Sequence, residues 1–465
     1  MVRSDFNFAQ FGEDSYLITN YAGKHAFLTS GEFHAFCNGT KMDEDKQNEL
    51  EKLLFLSDQS SEQFIHDYSM AIRNYRNYLF GGTGLHIFVL TSQCNLKCVY
   101  CQASTTLCGN KMSKEVAERS VDLALQSPNE YLSFEFQGGE PLMNFEVLKH
   151  VVKYTNENEK SKNKVIEFNL VSNLTLLDDE IIQFIKENHI KISTSLDGHE
   201  KLQNTNRPYP SENGYSIWKN RLKQLRTEIG QTVGAIQTTT KSSLPYYREI
   251  VDEYVANGFK RVFIRPLTPL GYAATRWEQI GYTPEEFLKF YKKVFEYILL
   301  LAKQGVEIAE GHACIFLDKI INCRAGNYTE LTSPCGAALG QLAYNYDGNI
   351  YTCDEGRMLA EMGDNSFCVG NVNMKYHDLF DNPVCKTVSQ ASCLECLPQC
   401  EDCVYSPYCG TCPVLNYYRY RTPFSTSPNN YKCKIYKGML EIIFSVLHSG
   451  CGEDIDILYR WAKCN

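Results

Sequence analysis

The sequence predicts an α/β protein built around a partial (β/α)6 barrel, with a small unit before the barrel and a cysteine-rich unit after it. The barrel is predicted by an alternation of strand-like and helix-like segments between residues 84 and 305. Repeated β–α units favour a parallel sheet wound in one direction. The 20 cysteines are unevenly spread, with one group at 94–108 and most of the others at 314–433. A chain of 465 residues exceeds what one core usually supports, so several domains are expected.

Residues 1–80 precede the first cysteine motif and predict a small module. Two strand-like runs, Tyr16–Asn20 and Ala26–Thr29, flank a turn that contains glycine, which is typical of a β-hairpin. Helical stretches are expected near Glu32–Cys37 and Asp45–Phe55. A hairpin with two helices ahead of a larger body would serve either as a packing lid or as a binding module.

Residues 81–310 carry the predicted barrel. The expected strands are Leu85–Leu90, Leu132–Phe136, Val165–Val171, Ile190–Ser195, Val233–Thr238 and Arg261–Ile264. The expected helices are Glu115–Gln126, Phe145–Asn156, Glu180–Asn188, Ile217–Glu228, Tyr246–Asn257 and Pro284–Lys303. Barrels of this kind carry their chemistry on the loops that follow the carboxyl ends of the strands. We therefore expect the functional site at that end.

Residues 311–449 form the predicted cysteine-rich unit, and residues 450–465 form a tail for which the sequence makes no structural prediction. The alternation of strands and helices stops near residue 311, and helical periodicity returns only at Lys437–Leu447. The intervening stretch is rich in Cys, Gly, Asn and Tyr, a composition that does not easily bury an ordinary core. We therefore expect this unit to depend on bound metal for folding.

Charge and hydropathy exclude several classes of protein. A net charge of −9 provides no basic footprint for nucleic acid. The first residues lack a basic region followed by an apolar one, and no apolar run reaches the roughly 18 residues that span a bilayer. We therefore expect a cytoplasmic protein with no nucleic-acid or membrane partner. In that compartment, clustered cysteines favour metal binding over disulfides, and zinc is an alternative for the later group.

The most informative motif is the CxxxCxxC run of Cys94, Cys98 and Cys101, directly after the first predicted strand. Three thiolates on one loop can hold three irons of a [4Fe–4S] cube, whose usual protein complement is four cysteines. The fourth iron would then accept a ligand that is not protein, which favours a catalytic site. The alternative is a zinc site with Cys108 as its fourth ligand.

This triad resembles the signature of the radical S-adenosylmethionine (SAM) superfamily, and Gly138-Gly139-Glu140-Pro141 resembles that superfamily's GGEP motif. The resemblance implies that SAM binds the open iron and is reductively cleaved to a 5′-deoxyadenosyl radical. In the family, the aromatic residue before the third cysteine packs near the adenine, and the glutamate carboxylate receives the SAM ammonium. For Arg265, pairing with the SAM carboxylate and an ordinary ion pair are both open. The residues that the resemblance assigns to SAM are Tyr100, Gly138, Gly139, Glu140, Ser172, Asn173, Ser195 and Arg265.

The later cysteines resemble the SPASM extension of radical SAM enzymes, which binds two auxiliary [4Fe–4S] clusters. The resemblance implies three clusters in all. It assigns Cys335, Cys353 and Cys412 to the first auxiliary cluster, although two residues precede Cys412 where the family has three. The fourth ligand of this cluster is open among Cys393, Cys396, Cys323 or no protein group at all. The second auxiliary cluster is assigned to Cys400, Cys403, Cys409 and Cys433.

Three segments are most similar in sequence to the maturases of His-Xaa-Ser peptide systems: Leu85–Val89, Phe136–Leu142 and Tyr405–Gly410. The N-terminal module resembles the winged-helix elements that capture leader peptides. These resemblances imply a precursor peptide with a leader as substrate, a reductant such as flavodoxin or ferredoxin, and a thioether or carbon–carbon crosslink as product. An anaerobic sulfatase-type maturase that makes formylglycine is the alternative enzyme. A non-catalytic iron–sulfur electron carrier or a zinc-binding protein is the alternative of another class.

Overall fold

The computed structural model describes residues 2–210, 213–230 and 232–464. The elements before residue 80 are β1 Val2–Arg3, β2 Asn7–Gln10, β3 Ser15–Thr19, β4 His25–Thr29, α1 Ser30–Asn38, α2 Glu44–Lys52, β5 Leu56–Ser57 and α3 Ser61–Tyr75. Strands β2, β3 and β4 form a three-stranded antiparallel sheet, and β1 pairs with β5. The expected hairpin is β3–β4, and α1 and α2 are the two expected helices. Helix α3 was not predicted, and only Phe64 and Tyr75 of its side chains are buried.

The six predicted barrel strands are present, and each pairs in parallel with the next along the chain. They are β6 Leu85–Thr91, β7 Tyr131–Gly138, β8 Val165–Val171, β9 Lys191–Ser195, β10 Gly234–Thr238 and β11 Arg261–Arg265. The helices are α4 Lys114–Ala124, α5 Phe145–Glu157, α6 Asp179–Glu187, α7 Glu200–Asn206, α8 Gly214–Ile229, α9 Tyr247–Ala256, α10 Gly271–Thr275, α11 Trp277–Ile280 and α12 Pro284–Lys303. The predicted (β/α)6 arrangement is therefore confirmed.

The C-terminal part contributes four strands, β12 Ala309–Glu310, β13 Gln341–Tyr344, β14 Asn349–Tyr351 and β15 Cys368–Asn371. It extends the barrel sheet, because β13 pairs in parallel with β6 and is followed by antiparallel β14 and β15. On the opposite edge, β12 pairs in parallel with β11, which completes a ten-stranded sheet. The helices are α13 Gly311–Ile321, α14 Asp354–Glu361, α15 Tyr376–Asp381, α16 Pro383–Ala391, α17 Pro413–Tyr420, α18 Tyr431–Ser449 and α19 Gly452–Trp461.

The sequence shows little helical periodicity in this part before Lys437, yet the structure has helices there. Helices α14 to α17 are short, so none shows the apolar repeat over several turns that periodicity requires. Helix α13 is buried on all sides from Gly311 to Ile320. It therefore has no solvent-exposed polar face, which is the feature by which an amphipathic helix is recognised in a sequence. The tail, for which no element was predicted, contains α19.

One large apolar cluster joins all parts of the chain. It includes Leu17 of the N-terminal module, Phe88 of the barrel and Phe444 of α18. The C-terminal part thus buries ordinary apolar side chains, contrary to the expectation from its composition. The predicted domain limits stay predictions. No helix in the described ranges is long and apolar enough to cross a membrane.

Lys319 in α13 is fully buried, and burial lowers the pKa of its ammonium to about 7. Because the unfolded chain keeps Lys319 protonated up to its ordinary pKa of about 10.4, folding is penalised by ~1.4 kcal/mol for each unit of this shift. We expect Lys319→Met to raise the melting temperature at pH 7, with a gain that shrinks as the pH rises towards 10. Thermal denaturation of both proteins across this range is the measurement, and a gain that does not change with pH would contradict the expectation.

Candidate active site

A cavity of about 190 Å³ lies at the carboxyl ends of the barrel strands. All three triad cysteines line it, on the loop after β6. The ends of the other barrel strands also contribute, as the sequence predicts. The predicted SAM residues that line it are Tyr100, Gly138, Gly139, Ser172, Asn173, Ser195 and Arg265.

The glycines of the GGEP motif pack against the cysteine loop. The Gly139 amide donates to the Thr91 carbonyl at 2.8 Å, and the Glu140 amide donates to the Gln93 carbonyl at 2.8 Å. A Cβ at Gly139 would lie only 2.0 Å from the Gln93 oxygen. Gly138 has φ +142°, a conformation that favours glycine. The motif therefore holds the backbone that carries Cys94.

Gly139→Ala is expected to displace the triad loop, because the added methyl group would overlap the Gln93 carbonyl. We expect the reconstituted protein to lose about four iron atoms per chain, the content of one cluster, and its SAM cleavage with them. Gly452→Ala is the control, since a Cβ there meets no atom within 4 Å. Full iron content and SAM cleavage in the Gly139 variant would contradict the close packing.

The donor chemistry of the cavity fits an iron–sulfur cluster. Burial raises the pKa of Cys98 to about 12, against the opposing effect of the Arg207 guanidinium, and it also raises the pKa of Cys94. Binding a metal as thiolates would release these protons. Among the described residues, no three His, Cys, Asp or Glu side chains converge as around a single metal ion. Cys108 is exposed and does not line the cavity, so the structure does not support it as a fourth ligand.

Glu140 is 1% exposed and does not line the cavity. Its carboxylate accepts hydrogen bonds from the Ser172 hydroxyl at 2.9 Å, the Asn173 amide at 2.8 Å and the Leu142 amide at 3.1 Å. Burial raises its pKa to about 7, and these hydrogen bonds oppose that rise. In this structure Glu140 joins the GGEP motif to the end of β8, and its contact with the SAM ammonium stays a prediction.

Tyr100 lies in a buried polar group with Asp197 and Arg207. The sequence leaves open whether Asp197 contacts SAM or belongs to an Asp-Gly turn after β9, and sequence reasoning missed Arg207. The Tyr100 hydroxyl donates to Asp197 Oδ2 at 2.7 Å, and Arg207 Nε lies 3.3 Å from the same oxygen. The Arg207 guanidinium also lies over the Tyr100 ring, 5.2 Å from its centroid, and Nη1 is 3.9 Å from Cys98 Sγ. Arg207 lines the cavity, yet it follows α7 in a loop without a recognisable motif. No local signal could have found it.

Arg265 also lines the cavity and is ion-paired within the protein. Its Nη2 lies 3.2 Å from Glu330 Oε1 and 3.7 Å from Glu355 Oε1. The ion-pair alternative for Arg265 is therefore present, and its contact with the SAM carboxylate stays a prediction. Thr238 and Met358 line the cavity without having been predicted.

The cysteines predicted for the second auxiliary cluster meet around a separate cavity of about 40 Å³. Three come from the loop before α17 and the fourth from the first turn of α18. The Ser427 hydroxyl donates to Cys433 Sγ at 3.1 Å. Burial raises the pKa of Cys400 to about 11. The four cysteines at this cavity are Cys400, Cys403, Cys409 and Cys433.

The cysteines predicted for the first auxiliary cluster also lie together, within one buried cluster of apolar side chains. They are Cys335, Cys353 and Cys412. Cys353 caps α14, where its sulfur accepts from the Gly356 amide, and Cys412 caps α17 in the same way. The thiols proposed as fourth ligands have other partners. Cys393 donates to Glu395 Oε2 at 3.3 Å and also interacts with Cys396, while Cys323 Sγ lies 3.1 Å from Lys24 Nζ.

Comparison with known proteins agrees with this architecture. The family model of the Radical SAM superfamily matches residues 88–226. An uncharacterised protein of Methanocaldococcus jannaschii is 30% identical over 293 residues, which are 62% of this chain and 88% of that protein. The chain belongs to the radical SAM superfamily. It is therefore an enzyme of this class, and the non-catalytic alternatives do not hold.

Further similarity is to maturases. A cysteine-type anaerobic sulfatase-maturating enzyme of Clostridium perfringens is 25% identical over 368 residues, covering 76% of this chain and 94% of that protein. The fold resembles the structure of native anSMEcpe with bound AdoMet and Cp18Cys peptide, with a TM-score of 0.65, 22% identity and coverage of 81% and 99%. It also resembles Streptococcus suis SuiB bound to the precursor peptide SuiA, with a TM-score of 0.54, 16% identity and coverage of 92% and 99%.

Membership of the superfamily implies a [4Fe–4S] cluster and SAM as cofactors. The residues that would hold the cluster are Cys94, Cys98 and Cys101. When bound, cluster and SAM supply a 5′-deoxyadenosyl radical that removes a hydrogen atom from the substrate. Ser172, Asn173 and Ser195 present hydroxyl and amide groups to the cavity that suit the ribose and amino-acid parts of SAM.

Proposed function

We propose that this enzyme modifies a ribosomally made precursor peptide and forms a thioether or carbon–carbon crosslink. The observation that carries the proposal is the presence of two further cysteine sets besides the triad, one in a buried cluster and one around its own cavity. Crosslinking removes one hydrogen atom, one proton and one electron from the peptide as the new bond forms. Three cysteine sets give one site for radical generation and two that can hold an electron acceptor. The relatives that bind peptides support a peptide substrate.

Residues 1–80 are proposed to recognise the leader, and they are also built into the auxiliary region. The Asn7 side-chain amide donates to the Glu401 carbonyl at 2.8 Å and to the Cys403 carbonyl at 3.1 Å. The buried Thr19 hydroxyl donates to the Val404 carbonyl at 2.7 Å. Deleting the module would therefore disturb the second cysteine set as well as leader binding. Leader recognition is better tested by truncating the peptide than by truncating the enzyme.

The test uses anaerobically reconstituted protein, SAM, a reductant such as flavodoxin or ferredoxin, and a short precursor peptide encoded beside the gene. We expect 5′-deoxyadenosine and a peptide lighter by two hydrogens. Removing the leader from the peptide should weaken binding of the peptide to the enzyme. Cleavage of SAM in the absence of peptide should stay unchanged and gives the baseline for this comparison. An unmodified peptide, with SAM still cleaved and iron near twelve atoms per chain, would contradict the crosslinking proposal.

Formylglycine formation is the second candidate, supported by the 25% identity to a sulfatase-maturating enzyme over 94% of its length. Both candidates use the same cavity and oxidise a peptide. The products differ, because formylglycine carries an aldehyde and a crosslink does not. A peptide with the sulfatase cysteine motif should therefore acquire reactivity towards a hydrazide probe under this candidate only.

A further inference from the structure

The SAM cavity has two walls that come from different parts of the chain. The first wall is built from residues between Cys94 and Arg207, namely the triad loop, the ends of β7 to β9 and the segment after β9. In the described ranges, the second wall consists of Thr238 at the end of β10, Arg265 at the end of β11 and Met358 of α14. Apart from Arg265, the predicted SAM residues that line the cavity all lie in the first wall. A substrate that reacts in this cavity therefore has the second wall as its remaining surface.

Arg265 is the charged side chain of the second wall as far as the structure describes it. The side chain is 29% exposed. Its guanidinium donates a hydrogen bond from Nη2 to Glu330 Oε1 at 3.2 Å, and its Nε and Nη1 donate to no acceptor in the described ranges. Because a guanidinium carries several N–H donors in a fixed fork, donors remain for a ligand in the cavity.

The surroundings of Arg265 favour a neutral oxygen as that ligand's acceptor. Carboxylate oxygens of Glu330 and Glu355 already lie 3.2 and 3.7 Å from Arg265 Nη2. A third carboxylate would be repelled by these two across the same short distances. A backbone carbonyl oxygen carries no net charge, and every residue of a peptide presents one. The second wall therefore suits the main chain of a peptide.

Glu330 holds Arg265 from the cysteine-rich unit. Its Oε2 accepts from Lys432 Nζ at 3.4 Å, while its Oε1 accepts from Arg265. Lys432 is buried in the first turn of α18. The backbone of Glu330 is also closely packed, since a Cβ at Gly410 would lie 2.4 Å from the Glu330 carbonyl oxygen. The orientation of Arg265 in the cavity therefore depends on the cysteine-rich unit.

We propose that Arg265 donates a hydrogen bond to a backbone carbonyl of the peptide substrate and that Glu330 is the residue that positions Arg265. This inference rests on the proposed function, since it takes a peptide as the substrate. The contact holds the reacting segment of the peptide against the second wall, opposite the triad loop. A peptide that lacks the contact is held less accurately, so fewer radicals lead to product.

The test measures how much modified peptide forms for each 5′-deoxyadenosine that forms. It uses the full chain, reconstituted anaerobically, with SAM, a reductant and the precursor peptide encoded beside the gene. The variants are Arg265→Gln, Glu330→Gln and the two combined, with Arg119→Gln as the control. Arg119 pairs with Glu115 on α4 and does not line the cavity. Loss of folded protein or of SAM binding lowers both products together, so the ratio reports the positioning of the peptide.

We expect the ratio to fall at least about tenfold in Arg265→Gln, as loss of a hydrogen bond from a charged group would cause. Glu330→Gln should lower it by a smaller factor. The combined variant should be no worse than Arg265→Gln alone, because Glu330 acts through Arg265. Arg119→Gln should keep the ratio of the unsubstituted protein. An unchanged ratio in Arg265→Gln would overturn the proposal, and a further fall in the combined variant would overturn the positioning role of Glu330.

The unsubstituted protein separates this inference from the proposed function. If it cleaves SAM but forms no modified peptide, the proposed function fails and the assignment of Arg265 fails with it. If it forms modified peptide and Arg265→Gln does so at the same ratio, the inference fails alone. Reduced SAM cleavage at an unchanged ratio would assign Arg265 to SAM and would likewise overturn the contact with the peptide.

Discussion

Cys98→Ala is expected to abolish formation of 5′-deoxyadenosine while about eight of twelve iron atoms remain bound. The reason is the separation of the three cysteine sets. The triad lines its own cavity, and the cysteines of the other two sets do not line it. Removing one of three thiols should therefore release one cluster and leave the other two. Iron analysis and chromatography of the SAM products, both under anaerobic conditions, provide the measurement.

Cys108→Ala is the matched control for this result. Cys108 follows the triad on the same loop, but it is exposed and lies outside the cavity. We expect it to retain all iron and full SAM cleavage. Loss of one cluster on replacing Cys108 would instead make it a ligand, as the zinc alternative supposed. Loss of all iron in Cys98→Ala would show that the three sets do not assemble independently.

Asp197→Ala is expected to have the second large effect, a loss of about 3–5 kcal/mol of stability, which is usual when one partner of a buried ion pair is removed. Asp197 is fully buried and lies 3.3 Å from Arg207 Nε, so its removal leaves a buried cation without its anion. The Tyr100 hydroxyl and the Thr238 amide lose an acceptor as well. The melting temperature of the reconstituted protein and its affinity for SAM should both fall.

Tyr100→Phe is the graded comparison for Asp197→Ala. It removes one hydrogen bond to a carboxylate and keeps the ring beneath Arg207, so a cost of about 2 kcal/mol is expected. The variant Asp197→Leu with Arg207→Leu should be less destabilised than the sum of its single substitutions, because the two side chains are in contact. Equal and small effects of Asp197→Ala and Tyr100→Phe would show that the ion pair contributes little.

Much of the fold could be predicted because its signals are local. Each barrel strand is a short apolar run, and each long barrel helix repeats its apolar residues over several turns, so their order along the chain predicted the parallel sheet. Helix α13 was missed for the opposite reason, since a helix buried on every side has no amphipathic pattern. The short helices of the cysteine-rich part contain too few turns for a repeat.

The residues of the candidate site likewise fall into those with a local sequence signal and those without one. The triad and the GGEP motif are short, and their residues take their positions from one loop each, so spacing was sufficient to recognise them. Arg207 and Asp197 contribute single side chains from the segment after β9, and they meet Tyr100 only because the loop after β6 lies beside that segment. Glu140 matched the motif, yet its carboxylate contacts β8 and not the cavity.

The sequence by itself determined the class of chemistry, because cysteine spacing and strand period depend only on neighbouring residues. The tertiary structure alone decided which distant groups act together. It brought Asn7 and Thr19 to the loop of the second cysteine set, nearly 400 positions away along the chain. Such contacts depend on the path of the whole backbone and on which polar groups find partners during packing, and no local pattern records either.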